Sequence, residues 1–160
     1  MLYSFFAWIE NLPIVLTFTE SLFAYPVIQG VHVLALAFAV GLLALADLRL
    51  AGILLPQHSE RVLVSALRPW FIGGFSVLLV TGVLLFLPKA TSLYNSPLFL
   101  VKLGLIALAG VNAVWFEMNF RRTSLGSAAV WRYLSPRTAG LVSLGLWVTI
   151  IVLGRLLAYF

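Results

Sequence analysis

The sequence predicts an all-α integral membrane protein, a four-helix bundle preceded by an N-terminal interfacial helical segment. Three observations carry that reading. Of 160 residues, 62% are hydrophobic and only 9% charged, with a mean hydropathy of +1.09, whereas a soluble domain has roughly a quarter charged residues and about half apolar ones. Four apolar runs come close to the ~20 residues that cross a hydrocarbon core about 30 Å thick. Prolines and aromatic residues mark the ends of those runs. The same composition narrows the chemistry. With no cysteine, disulfides, thiolate metal sites, CxxC redox chemistry and covalent haem attachment are excluded. Met1 and Met118 are the only methionines, which excludes a methionine-rich copper site. The formal charge of +5 is scattered among hydrophobic spans, so it reads as topology, and no nucleic-acid partner is expected.

In chain order, residues 1–25 are apolar but broken by Glu10, Asn11, Pro13 and Glu20. Those interruptions predict an interfacial helix or re-entrant hairpin rather than a fifth span. No basic residue precedes the apolar stretch and no small-residue cleavage site follows it, so it does not read as a signal peptide. Span one is expected over about 26–46, opened by Pro26 and closed by Asp47 and Arg49, since proline suits a first helical turn. Span two is expected over 70–87 between Pro69 and Pro88, span three over 98–116 behind Pro97, and span four over 139–158 behind Pro136. Trp70, Tyr94, Trp115, Trp131, Tyr133 and Tyr159 fall near the ends, as an interfacial aromatic belt requires. Arg49, Arg61 and Arg68 lie between spans one and two, and Arg121, Arg122, Arg132 and Arg137 between three and four, against Lys89 alone on the other side. The positive-inside rule then places both termini outside and the arginine-bearing loops in the cytoplasm.

Ionisable groups inside a bilayer are costly and tend to face neighbouring helices. His32 lies about 9 Å inside span one at 1.5 Å per residue, and Lys102 lies at a similar depth in span three. Thr81 in span two reaches the same level, and Arg155 in span four lies a little nearer the outer face. His32, Thr81, Lys102 and Arg155 are therefore the candidate ligand-binding residues, with His32 the candidate metal ligand. A second layer, near the cytoplasmic side, holds Asp47, Arg49, Arg68, Asn112 and Glu117. His32 shares a helical face with Gln29, Ala35, Ala39 and Ala46, and Lys102 shares one with Ala109, Asn112 and Phe116. Such small faces permit close helix packing or leave a flat slot for a planar ligand. Blander readings stand beside these: His32 as a hydrogen-bonding link between helices, Lys102 and Arg155 as snorkelling anchors, and Asp47 paired with Arg49 or Arg68 at the interface. His58, in the polar turn Gln57-His58-Ser59-Glu60, reads as a solvated loop residue.

The run Tyr25-Pro26, His32, Gly41 and Asp47-Leu48-Arg49-Leu50 continues through Pro69-Trp70, Thr81-Gly82, Leu84-Leu85-Phe86, Lys102 and Asn112. Over nearly the whole chain this pattern resembles an uncharacterised family of small bacterial inner-membrane proteins. More distantly, a histidine early in span one and a lysine opening span three resemble copper resistance protein D and the small membrane protoporphyrinogen oxidase of haem biosynthesis. That resemblance implies metal handling or haem binding around His32.

Three functional readings follow. In the first, a haem b or another planar cofactor is bound by the His32 imidazole, Lys102 and Arg155 neutralise its propionates, and the haem is either five-coordinate or shared between two subunits. In the second, the chain is an accessory or structural subunit of a larger membrane complex or a homo-oligomer. The third, a small transporter or metal permease, ranks last, because no broken helix, inverted repeat or midplane carboxylate is evident.

Overall fold

The computed structural model describes residues 2–55, 57, 59–124 and 135–157. All regular structure among them is helical: α1 (Leu2–Glu10), α2 (Pro13–Glu20), α3 (Ala24–Leu50), α4 (Glu60–Phe86), a 3-10 turn (Leu87–Lys89), α5 (Ala90–Tyr94), α6 (Pro97–Ser124) and α7 (Pro136–Leu156). The all-α class read from the sequence is observed. As far as their residues are described, the four apolar runs fall on four helices long and apolar enough to cross a membrane. Most large side chains on these helices are exposed, Leu34, Leu79 and Val111 among them, as contact with lipid requires. Most of the buried apolar residues are small, Ala35, Ala39, Ala46, Ala109 and Ala139 among them, beside the larger Leu50, Val64 and Ile150. Helices in lipid gain nothing from hiding leucine from acyl chains, and they associate where small residues let backbones approach.

The chain forms two compact units, the first from Met1–Gly41 and Pro69–Pro97, the second from Leu42–Arg68 and Leu98–Phe160. In the first, the leading segment folds as two short helices of nine and eight residues, at about 1.5 Å per residue each too short to span. Asn11 ends α1 by donating its side-chain amide to the Ala7 carbonyl at 2.7 Å, and Pro13 opens α2. Helix α1 is fastened to α5. Glu10 accepts the Thr91 backbone N–H and hydroxyl, both at 2.8 Å, and Phe6 packs on Phe86 and Tyr94. Ser21 Oγ accepts the Ala24 N–H at 3.1 Å at the start of α3. Further along, Ala39 meets α4 at Gly74, where an added Cβ would lie 2.9 Å from Ala39 Cβ.

The Glu10 clasp gives a first prediction. Hydrogen bonds to a charged group contribute about 1.5–3 kcal/mol each, so Glu10→Ala should release α1 from α5. Hydrogen–deuterium exchange across residues 2–10 should quicken by at least about fivefold, while exchange in α6 and α7 stays unchanged. Unaltered exchange in α1 would show that the aromatic contacts alone hold it.

In the second unit, α3 continues past the expected end at residue 46 to Leu50. It stops there because Gly52 takes the left-handed conformation, with φ +76°. The Gly52 N–H reaches the Arg49 carbonyl and the Ile53 N–H the Leu48 carbonyl, both at 3.0 Å, which satisfies two terminal carbonyls. Helix α4 also starts ten residues before Trp70 and runs through Pro69. Proline there leaves the Ser65 carbonyl without its helical donor, a cost tolerated inside membrane helices. Arg68, beside it, is fixed to Glu117 of α6 at 2.7 Å. Helix α7 begins at Pro136, three residues earlier than expected, with Ser135 Oγ accepting the Thr138 N–H at 3.2 Å. Trp131, Arg132, Tyr133, Tyr159 and His58 lie outside the described residues.

Candidate functional site

In the first unit the two polar residues that the sequence places at one depth meet. His32 Nδ1 lies 2.8 Å from Thr81 Oγ1, and that hydroxyl donates to the Val77 carbonyl at 2.7 Å. A threonine hydroxyl has one hydrogen. If the Val77 carbonyl takes it, the short contact with the imidazole requires Nδ1 to be the donor, and Nε2 of the neutral ring then carries the lone pair. Gly82 makes this arrangement possible, because a Cβ there would stand 3.3 Å from His32 Cε1. Thr81 is buried, and His32 is partly buried. Helix α3 brings His32 to α4 because it shares its face with Ala35 and Ala39, both buried. The close approach of Ala39 to Gly74 shows that this small face serves helix packing at that point. Gln29, on the same face, is exposed.

Lys102 and Arg155 belong to the second unit. The Lys102 ammonium lies against α7, where a Cβ on Gly154 would come within 3.2 Å of Nζ. Glycine therefore opens the last turn of α7 to the lysine, and the negative end of the helix dipole favours a cation there. Lys102 is partly buried, with its ammonium turned to a neighbouring helix. Arg155 is exposed in that same last turn.

A polar cluster in the second unit is richer than the sequence suggests. Asp47 is 5% exposed, and the expected interfacial pair with Arg49 or Arg68 is not formed. Arg49 binds Glu60 at 3.3 Å and Arg68 binds Glu117. Asp47 instead has Ser143 of α7 beside its carboxylate, and its Oδ2 has no hydrogen-bond partner among the described residues. The reason is rotational. At 3.6 residues per turn, Asp47 and Arg49 point to nearly opposite sides of α3. The Asp47 carbonyl also meets α7, at Gly140, where an added Cβ would lie 2.8 Å from it. Asn112 donates to the Ala139 carbonyl at 3.2 Å, joining α6 to α7. Asn119 is buried too, seven residues beyond Asn112 on the face that begins at Lys102. No group of three or more His, Cys, Asp or Glu side chains is arranged to hold a metal ion among the described residues.

Comparison with known proteins places the chain. Residues 5–160 match the model of a family of unknown function, DUF6644. The chain belongs to DUF6644. That membership agrees with the uncharacterised family expected from the motifs, and the match takes in α3 to α7 whole, so the DUF6644 region carries both the His32–Thr81 pair and the Asp47 cluster. No curated protein and no solved structure matches the chain.

Proposed function

We propose that this DUF6644 protein is a b-type haem protein of the bacterial inner membrane, with His32 Nε2 as the axial ligand. The observation that carries the reading is the relay from His32 Nδ1 through Thr81 Oγ1 to the Val77 carbonyl. Metal-binding histidines commonly donate their second ring N–H to an oxygen acceptor, which fixes the tautomer and raises ligand basicity. Bound there, haem b would supply one-electron transfer. The protein's own part is to hold the imidazole in the ligating tautomer and to seat it against Gly82. One histidine of this kind fits a five-coordinate haem, or one shared by His32 of two copies in a homo-oligomer or larger complex. Gly74 packs closely on Ala39, so a haem would lie away from that contact. The arginine-bearing loops point to an orientation with His32 in the outer leaflet and both termini periplasmic.

The test is spectroscopic. Protein purified in mild detergent should show a Soret band, and His32→Ala should abolish it while still inserting as a folded protein, since insertion rests on the apolar spans. Equal haem content in the two forms would remove His32 as the ligand. No haem in either form, even after reconstitution, would overturn the haem reading in favour of an accessory subunit.

A further inference from the structure

A cavity of about 330 Å³ opens in the second unit, where the end of α3, the start of α4, the last turns of α6 and the start of α7 come together. Its lining is chemically divided. Arg49, Arg61, Ser59 and Glu60 provide polar groups, and Phe116 and Phe120 provide an apolar wall. The charges do not cancel. Arg49 is paired with Glu60, whereas Arg61 has its guanidinium 6.0 Å from the centre of the Phe120 ring and makes no ion pair among the described residues. Pro136, the first residue of α7, also lines the cavity, so the positive end of a 21-residue helix dipole adds to the excess.

Position decides what such a cavity takes. Its residues flank the apolar stretches of α3, α4, α6 and α7, so it lies at headgroup depth, and the aromatic wall continues toward the acyl region. Basic pockets between membrane helices bind anionic headgroups, and a guanidinium matches the geometry of phosphate oxygens. We propose that this cavity is a binding site for the phosphodiester headgroup of an anionic phospholipid, with Arg61 and Arg49 as phosphate donors and Phe116 and Phe120 against the glycerol and first acyl carbons. Glu60 competes with the phosphate for Arg49 and sets the affinity below what two unopposed arginines would give. The proposal is independent of haem.

Native mass spectrometry of the full chain, delipidated and then titrated with phosphatidylglycerol or phosphatidylcholine, tests it. Phosphatidylglycerol should be retained in preference. Arg61→Gln, an exposed position whose change leaves the fold intact, should weaken retention about fivefold, as expected for one basic residue near an anionic surface. Glu60→Gln should strengthen it by about twofold or more, an effect that mere structural damage would not produce. Equal retention of the two lipids, or no response to either substitution, would overturn the site. Inorganic phosphate displacing phosphatidylglycerol at equimolar amounts would show a free-anion site and overturn the lipid assignment.

Discussion

Gly140→Leu should prevent the second unit from assembling. Gly140 lies where α7 crosses α3, and even a methyl group there would stand 2.8 Å from the Asp47 carbonyl oxygen and 3.2 Å from Leu50 Cβ. The first of these is backbone, which cannot turn aside as a side chain can. Alanine is a better helix former than glycine by about 1 kcal/mol, but overpacking costs about 1–3 kcal/mol, so even Gly140→Ala should be net destabilising. Leucine, with three further carbons, should do far more. Separating the helices would also strip Asp47 of Ser143 and leave a carboxylate in an apolar setting. Gly145→Ala is the control, because nothing lies within 4 Å of its Cβ position, and it should be neutral or mildly stabilising. Thermal unfolding in detergent measures both. A Gly140→Leu protein as stable as the Gly145→Ala protein would mean that the α3–α7 crossing is not close.

The second large effect tests the proposed haem site. Thr81→Val keeps the shape of the side chain and removes its hydroxyl, so the His32 Nδ1–H loses its acceptor. Loss of such an outer partner typically costs about 10–100-fold in metal affinity, and haem dissociation should quicken by that range. Thr81→Ser, which restores the oxygen, should recover most of the affinity. That recovery separates positioning of the ring from a packing defect. In a His32→Ala background, Thr81→Val should have no further effect on haem content, because the two residues act through one bond. Equal haem affinity in the valine and wild-type proteins would show that Thr81 does not orient the ligand.

Much of the architecture was legible because hydrophobic length alone sets where helices cross lipid. Boundaries were less so. Pro69 reads as a helix start, yet α4 passes through it, at the cost of one missing helical hydrogen bond. The end of α3 was set by Gly52 and its φ of +76°, not by the charges at Asp47 and Arg49. Depth arithmetic puts His32 and Thr81 at one level, and they touch, but which ring nitrogen carries the proton depends on Val77, which has no polar side chain to notice. For Asp47, nearness in sequence suggests Arg49 as a partner, while helix rotation turns the two apart. Glu10 reads only as an interruption, since its partner Thr91 lies 81 residues away. Asn119 could have been found by carrying the Lys102–Asn112–Phe116 face one turn further.

The two units are discontinuous in sequence, and this orders the events of biosynthesis. Leu42–Arg68 leaves the ribosome long before Gly140 and Ser143 exist. At about 5–20 residues per second, Asp47 waits several seconds in the insertion machinery without the helix that will cover it. During that interval the nascent chain offers an unshielded acid to any quality-control factor that inspects half-made membrane proteins. Truncation before α7 would make the exposure permanent. Cells should therefore degrade chains that stop after residue 124 faster than full-length ones, and neutralising Asp47 should slow that clearance.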